Sequence, residues 1–542
     1  MTRKGKIAIW VIGSILVIGA LAFTCADVVV SRMVQRRVNK SLAELPIPGC
    51  TASCGNIHVF LFSGMADVYD LKFSYRGEPL SRRDTTRPGF DLTLDHLSVG
   101  HIFYTPLIAR NLLVDAIRAE HPSIELWMDE KHPEKSFPEM HDDGMSKLQD
   151  ALNRIALNAL RINNASMKFH SLRTKLDVAA DSCSFAAYDF VYADSAFSYC
   201  DSLYKVQLGH VSVLTPDGYV RLETRDICQT DAGELTIGNF HVAHTMPRLK
   251  LAEIMKEPSA WIDMTFENIR LSAFNPIRKA MAKDYTLDNI SVVLKNGEVF
   301  RDNRFKPTHP YPMPQEVFAQ LPVQLMINSV DAQVKNLNIE VAITKTNIGK
   351  LNLRGAKAKV TDITNRRGKT MRIKAHCPIQ QGSADLAMSM TMNKACDFGV
   401  ELHVAGVNGA FINSLLRPIT SITIGCQFDA IDAKYTGNSE TAEGICRMMY
   451  HDLLVDVHKE DDIPFKILSE HADFINSAAK NLIPKSNPSK VDIHPRAYKV
   501  RAKRDVMMLF PVYVMMPVID GAKKTFLPGL FVHEEVKNPV FD

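Results

Sequence analysis

Two stretches of the chain carry residue types that could perform chemistry. The first, HDDG at His141–Gly144, combines a histidine with two carboxylates, the kinds of side chain that bind divalent metals. Acidic residues are expected there in any case, because the stretch lies in a polar linker just ahead of a predicted helix. The second stretch repeats an Asp-Ser pair at Asp194 and Asp201, which turn formation explains more simply than paired catalytic carboxylates do. We therefore predict neither a metal site nor a catalytic pair.

The larger catalytic frameworks are missing from the sequence. It contains no HExxH, no GxSxG, no GxxxxGKS/T and no GxGxxG, so the usual metal, nucleophile and phosphate-binding motifs are absent. The histidines are scattered, and no combination of nucleophile, base and orienting group is visible. We predict that the protein is not an enzyme and uses no cofactor.

The ten cysteines show no CxxC pair and no zinc spacing. Only Cys50 and Cys54, in GCTASCG, are close together. A small disulfide loop in an oxidising compartment is one interpretation of this pair, and two unpaired small side chains at a turn is the alternative. The other cysteines mostly replace apolar residues in predicted strands, which favours buried thiols.

Composition excludes some classes of protein. The chain is 46% apolar and 23% charged, with 27 Gly and 27 Pro, which is ordinary for a globular protein. Its net charge of +4 arises from 64 basic and 60 acidic residues without a dense basic field. Nucleic acid is therefore not predicted as a partner.

The amino terminus carries the most specific physical signal. Residues Ile7–Ala26 form twenty positions without a charge, and apolar residues continue to Val30. A helix of this length spans about 30 Å, the thickness of a bilayer's hydrocarbon core. We predict a cytoplasmic tail at 1–6 and a transmembrane anchor at 7–30, with the bulk of the chain outside the cytoplasm. The alternative is a signal peptide cleaved near Thr24–Ala26.

An amphipathic helix is predicted at residues 31–45. Apolar residues recur there at helical spacing, with basic residues on the other face, and Pro46 follows. The apolar stripe consists of Val30, Val34, Val38, Leu42 and Leu45. We expect it to pack on the next domain, and contact with a membrane surface is the alternative.

The rest of the chain divides by periodicity. An amino-terminal β segment is predicted at 46–130, a polar linker with a helix at 131–160, a long β meander at 161–460 and a helical region with a tail at 461–542. The predicted helices are Met145–Leu160 and Pro464–Pro484. The apolar run Val506–Ile519 is too short to span a membrane and predicts a packed or interfacial segment.

Strict alternation of apolar and polar residues marks the meander. LPVQLMINSVDAQVKNLNIEVAI contains three alternating segments, and further segments follow. Alternation over many segments separated by Asn, Gly and Asp turns predicts antiparallel strands with one apolar face. That face must be covered by a second sheet, by helices or by lipid, because each large aliphatic side chain left in water forfeits about 1.5–3 kcal/mol.

Two segments resemble the AsmA-like envelope proteins. FDLTLDHLSVGHIFYTPLIARNLLVDAIRAEHPSIELW, Phe90–Trp127, is similar to the amino-terminal signature of that family, which follows a membrane anchor. Residues Ala410–Val457 resemble its carboxy-terminal segment, with an N-x-L-L-x-P helical turn and strands around a glycine. The closing motif of that segment is carried by Gly444, Tyr450, Asp452 and Leu453. The resemblance covers about 85 residues.

The resemblance implies a mostly β fold, in which an amino-terminal transmembrane helix precedes an elongated, twisted antiparallel β-sheet groove with a few short helices. It implies an inner-membrane protein with its bulk in the periplasm of a Gram-negative cell. The implied function is passive phospholipid transfer along the groove or maintenance of the outer membrane, and the implied partners are the inner membrane, an acyl-chain lipid and envelope assembly proteins. The alternative is a scaffold for outer-membrane protein assembly, with a closed β core and no lipid. The candidate groove residues are Val323, Leu325, Ile339, Val341, Leu351, Leu353, Leu386, Met388, Met390, Val400, Leu402 and Val404.

Overall fold

The computed structural model describes most of the chain after its first 23 residues. The described residues are 24–42, 48–80, 86–129, 131–132, 136–137, 154–193, 196–198, 204–229, 233–272, 285–321, 324–459, 472–473, 476–477, 483–490, 493–527, 534–536 and 539–541. Two compact units, unit 1 (Met1–Gly233) and unit 2 (Glu234–Asp542), divide the chain.

Helix α1, residues 24–42, opens the described part of unit 1. Three of its polar side chains form hydrogen bonds with the backbone of strand β2 (Ile57–Phe60) and its flanks. The amide of Val59 donates to Ser31 Oγ at 2.8 Å, and the amide of Leu61 donates to an Asp27 carboxylate oxygen at 2.9 Å. Gln35 donates to the Gly55 carbonyl at 2.8 Å. These bonds occupy backbone groups beside the outermost strand of a sheet.

The predicted stripe on α1 is half-buried from Val30 to Leu42, while the basic residues are exposed. Its continuation at residues 43–45 lies outside the described residues, as do residues 1–23 of the predicted tail and anchor. None of the helices in the described part of the chain combines the length and the apolar content that crossing a bilayer requires.

Unit 1 is built around one sheet. Its strands are β1 (Cys50–Ser53), β2 (Ile57–Phe60), β3 (Met65–Arg76), β4 (Gly89–Phe103), β5 (Asn111–Glu120), β6 (Ser123–Met128), β7 (Arg154–Ser171), β8 (Asp177–Ala193), β9 (Ala196–Ser198), β10 (Tyr204–Leu214) and β11 (Val220–Gln229). The short helix α2 (Tyr104–Ile108) follows β4. The prediction of a mostly β chain is confirmed.

The sheet of unit 1 is mixed rather than purely antiparallel. Strands β5 and β6 lie end to end between β4 and β7, and both run parallel to β7. A parallel pair needs a long crossover, which residues 129–153 supply here. The predicted helix Met145–Leu160 is wrong from Arg154 onward, where β7 begins. Its earlier part lies outside the described residues.

Backbone irregularities cross this sheet at one level. Residues on several strands, and one between β5 and β6, have positive φ and lack a directly opposed partner. These residues are Asp70, His121, Asn164, Ser182 and Asp226, with φ between 52° and 57°. The pairing register is unchanged across these positions except between β7 and β8, where it shifts. The apolar alternation shifts by one position at this level, and the apolar side chains stay on the same face of the sheet.

Unit 2 has more helices. Its strands are β12 (Leu235–His244), β13 (Ser259–Leu271), β14 (Tyr285–Asp302), β15 (Leu325–Ala342), β16 (Ile348–Thr364), β17 (Thr370–Ile379), β18 (Gly382–Thr391), β19 (Phe398–Asn408), β20 (Ile422–Gly437), β21 (Thr441–Val457) and β22 (Ala497–Lys503). Its helices are α3 (Arg248–Met255), α4 (Pro314–Ala319), α5 (Asn413–Thr420) and α6 (Phe510–Phe526), with a 3-10 turn at Gly409–Ile412 before α5.

Each strand of unit 2 pairs with the next in chain order, as a meander requires. The β14–β15 pair is parallel, which corrects the prediction of an antiparallel sheet. The three alternating segments predicted around residue 330 form one strand, β15, instead of several strands separated by turns. Residues of β15 directly oppose residues of β14 and β16, except near Asn328 and Lys335. The apolar alternation shifts at these two places.

The predicted helical features of unit 2 have mixed outcomes. The helical turn expected near residue 413 is present as the 3-10 turn and α5. Of the predicted helix Pro464–Pro484, only 472–473 and 476–477 are described as helical. The apolar run Val506–Ile519 contributes most of α6, which packs on the sheet.

Candidate functional site: the apolar face of the sheets

One row of apolar side chains runs across seven strands of unit 1. Its members oppose one another directly from strand to strand, so they point to the same face of the sheet. The row is Tyr75, Phe90, Leu126, Phe169, Val178, Val213 and Leu222. All seven side chains are half-buried and none is buried. A row of this size in a closed core would be excluded from water.

A second row on the same face lies two residues away along each strand. It contains Phe73, Leu92, Ile124, Met167, Ala180, Val211 and Thr224. Ile124 is 38% exposed and Met167 is 44% exposed. These two large side chains at the middle of a sheet face show that the described parts of unit 1 leave this face open.

The start of the β6–β7 crossover crosses one border of the open face. Phe137 places its ring 5.9 Å from that of Phe90, and it remains 46% exposed. The crossover is held by the buried Asp129, whose carboxylate pairs with Arg173 at 2.8 Å and accepts a bond from the amide of Lys131 at 3.1 Å. The hydrogen bond from Arg173 lowers the pKa of Asp129 to about 2.

In unit 2 the solvent exposure of a corresponding apolar row decreases along its length. The row is Ile290, Val330, Val360, Ile373, Met388, Val400, Tyr435, Gly444 and Val500. Its first four side chains are half-buried. Met388, Val400, Tyr435 and Val500 are only 9%, 2%, 3% and 2% exposed. Along this row the apolar face is therefore sealed over β18–β22 and partly open over β14–β17.

Helix α6 provides the seal. Tyr435 donates its hydroxyl proton to the Val514 carbonyl at 2.5 Å, and Tyr513, which is fully buried, donates to the Asn438 carbonyl at 3.1 Å. A Cβ on Gly521 would lie 2.6 Å from the sulfur of Cys446, so only glycine allows this approach. Burial raises the pKa of Cys446 to about 12.

Helix α5 bridges two strands that are not neighbours. Ser414 donates to the Lys350 carbonyl in β16 at 2.7 Å, and Asn413 bonds both the amide and the carbonyl of Ile424 in β20 at 2.9 Å. A Cβ on Gly349 would lie only 2.7 Å from the Leu415 carbonyl oxygen. The sheet therefore curls enough for one short helix to touch β16 and β20, which gives the apolar face of unit 2 a concave end.

The structure places the candidate groove residues in three groups. Met388, Met390 and Val400 belong to the buried cluster under α6. Leu386 and Leu402 oppose each other and pack, half-buried, at the edge of that cluster. Leu325, Ile339, Val341, Leu351, Leu353 and Val404 are half-buried, with Ile339 opposite Leu351. Val323 lies outside the described residues, and lipid binding by the others stays a prediction.

A separate groove of about 660 Å³ lies on the opposite, polar face of unit 2. Its lining comprises residues 331–333, 357–359, 374–376, 385–387, 401–403 and 432–434, with Phe541. The Phe541 ring lies 4.6 Å from the guanidinium of Arg447, which pairs with Asp432 at 2.7 Å. A cavity on the apolar face would also be lined by the next apolar side chains along each strand, such as Met388 and Val400. These side chains do not line this groove, which places it on the polar face.

Cross-strand pairs account for many of the scattered histidines. His376 faces Asp385 at 2.7 Å, and His403 faces Asp432 at 2.7 Å. Opposite charges or polar groups across a ladder stabilise strand pairing. The described residues contain no group of three or more potential metal ligands. The HDDG stretch and the pair Asp194 and Asp201 lie outside the described residues.

The cysteines are free thiols wherever the structure describes them. The disulfide interpretation of Cys50 and Cys54 is therefore corrected in favour of two unpaired side chains. Cys396, Cys426 and Cys446 are buried, whereas Cys183, Cys228 and Cys377 are half-buried, so the prediction of buried thiols is confirmed for only part of the set. Sequence reasoning missed that Cys446 supports the seal, although the small residue Gly521 in an apolar helix was a signal of close packing.

Comparison with known proteins adds no family. No family model matches the chain, and no curated protein matches it.

Proposed function

We propose that this chain is a membrane-anchored, non-enzymatic lipid-handling protein of the AsmA-like type, working in the periplasm. Acyl chains would lie along the apolar face while headgroups stay in water at its border. The observation that carries the proposal is the seven-strand row of unit 1, whose large side chains are in register and all half-buried. The described residues of unit 1 leave this face uncovered, and an apolar guest would remove it from water.

The mechanism requires no reaction. A long-chain lipid gains about 0.8 kcal/mol for each buried methylene, and an apolar side chain gains from the same contact. Directly opposed side chains repeat at the strand spacing of about 4.8 Å, so the face offers a continuous apolar path across the strands. Movement along it exchanges one set of equivalent contacts for the next, which favours passive sliding over tight binding at one point.

The test uses two neighbouring residues of β7 that point to opposite faces. Phe169→Asp places a carboxylate in the apolar row, while Lys168→Asp places the same carboxylate on the exposed polar face. Phe169 is only half-buried, so its substitution costs about 1 kcal/mol of burial and the chain should stay folded.

The full-length chain and both variants are purified from membranes, and bound lipid is measured by mass spectrometry. We expect lipid in the parent and in Lys168→Asp, and its loss in Phe169→Asp with an unchanged circular dichroism spectrum. A parent chain free of lipid, or equal lipid in both variants, would favour the scaffold alternative and reject lipid handling.

A further inference from the structure

An exposed apolar patch occupies one end of the sheet of unit 1. It consists of the β2–β3 turn and the β4–α2 junction. Its exposed side chains are Phe60, Phe62, Phe103, Tyr104 and Ile108, at 42%, 85%, 45%, 49% and 88% exposure. We call these residues the end patch. Five large exposed side chains in two adjacent segments form a contiguous surface of the kind that marks an interaction site.

The two segments of the end patch are fixed to each other. The Tyr104 hydroxyl donates to the Leu61 carbonyl at 2.9 Å, and the Ile102 amide donates to the Gly64 carbonyl at 2.7 Å. Gly64 has φ +63°, and a Cβ there would lie 2.5 Å from the Ile102 carbonyl oxygen. The patch is therefore a built surface and not a loose loop.

The end patch is also fixed to the start of α1. Asp27 accepts the hydrogen bond from the Leu61 amide, one residue from Phe60 and Phe62. The uncharged stretch Ile7–Ala26 ends beside Asp27 in the sequence. On the same turn of α1, Val28 and Val29 are 51% and 57% exposed, and Arg32 and Arg36 are exposed farther along.

The opposite end of the same strands has a different composition. The β7–β8 turn exposes Arg173, Thr174 and Lys175, and the β10–β11 turn exposes Pro216 and Asp217. Since both ends belong to one sheet, exposure of loops alone does not explain aromatic residues at one end. The difference indicates that the end adjoining the uncharged stretch contacts an apolar environment.

We infer that the end patch seats on a lipid bilayer, with Phe62 and Ile108 entering the interface between headgroups and acyl chains. Aromatic side chains favour that depth, and exposed arginines above it favour anionic headgroups. The two apolar rows of unit 1 lie near the opposite ends of these strands, so the inference concerns how the sheet seats on the bilayer and not how acyl chains enter those rows. The inference rests on the membrane anchor of the proposed function and is independent of lipid transfer.

Tryptophan quenching in vesicles tests this inference on the full-length chain. All proteins carry Trp10→Phe, because Trp10 lies in the uncharged stretch and would dominate the signal. Phe62→Trp reports on the end patch, and Tyr219→Trp reports on the far end of the sheet. Each is reconstituted into vesicles of phosphatidylcholine and phosphatidylglycerol, with or without bromine on the acyl chains.

We expect bromine to reduce the added fluorescence of Phe62→Trp by about twofold and to leave that of Tyr219→Trp unchanged, since only the patch reaches interfacial depth. Equal quenching of the two reporters, no quenching at Phe62→Trp, or failure of the chain to float with vesicles overturns the inference. Bound lipid measured in the same samples reports separately on lipid handling, so the two ideas fail independently.

Discussion

Two positions on strand β19 test whether the apolar face of unit 2 is open to water or closed. Val400 and Leu402 point to the same face, one alternation apart. Val400 is 2% exposed between Met388 and Tyr435, whereas Leu402 is half-buried between Leu386 and Ala433. Aspartate at each position is the perturbation. The chemistry of the substitution is nearly the same, so the difference in outcome measures the environment.

The expected costs differ several-fold. Val400→Asp loses about 1.5–3 kcal/mol of burial and leaves an unpaired carboxylate under α6, which costs several kcal/mol more. That sum is comparable with the whole stability of a domain, about 5–15 kcal/mol. Leu402→Asp loses about half of its burial, roughly 1 kcal/mol, and its carboxylate can reach water. We expect the same for Leu386→Asp.

Circular dichroism and thermal unfolding of the full-length chain provide the assay. Val400→Asp should lose its cooperative transition or show a large fall in Tm. Leu402→Asp should keep its β spectrum and unfold a few degrees below the parent, while losing any lipid that unit 2 binds. If Leu402→Asp unfolds as completely as Val400→Asp, the face is sealed by the chain itself and the open-face reasoning for unit 2 is refuted.

Three further outcomes test individual contacts. Asp129→Asn should lower the free energy of unfolding at pH 7 by about 1.5–3 kcal/mol in denaturant titrations, because a charged hydrogen bond is lost. The pKa of Asp129 is about 2 when folded and about 3.9 when unfolded, so this contribution is present above pH 4 and fades towards pH 2; a variant equally weakened at pH 2 would contradict it. Cys446 should be labelled by maleimide only after denaturant is added; equal labelling rates with and without denaturant would refute the seal. Gly521→Leu should destabilise unit 2 by about 1–3 kcal/mol through overpacking against Cys446, measured by thermal unfolding, and an unchanged Tm would show that α6 is loosely placed.

Alternation predicted the strands well, but it could not distinguish a turn from an irregular residue within a continuous strand. In β15 the apolar positions shift phase at Asn328 and Lys335, which the sequence presents as breaks between segments. The strand continues because β14 and β16 resume direct opposition beyond each shift. Pairing by both neighbours decides such cases, and it depends on residues far away in the sequence.

The helix expected at Met145–Leu160 failed for a related reason. The helix was predicted from the apolar stripe Leu148, Leu152, Ile155 and Ala159, whose spacing is helical. In the structure β7 pairs with β5 on one side and β8 on the other, so tertiary hydrogen bonding overrides the local pattern. The parallel pairs were equally invisible, because a period of two reveals alternation and not the direction of the neighbouring strand.

The candidate site was predicted as a single trough, whereas the structure divides it by what covers it. Met388 and Met390 were chosen as pliable lining, yet they lie under α6. The apolar run that becomes α6 was recognised as a packed or interfacial segment, but periodicity does not name the surface on which a helix packs. Conversely, Phe169 and Val213 in unit 1 carry the open row and were not among the candidates.

Helix α6 shows what the open face of unit 1 requires. In unit 2 the row Met388, Val400 and Tyr435 is removed from water by Val514, Val518 and their neighbours on one apolar helix. The row of unit 1 has larger side chains, including Tyr75, Phe90 and Phe169, and the described residues provide it with no equivalent helix. Leaving such a row in water costs about 1.5–3 kcal/mol for each large side chain. Among the described residues of unit 1 nothing covers this row as α6 covers the row of unit 2, and that difference supports the proposal that an acyl chain lies on it.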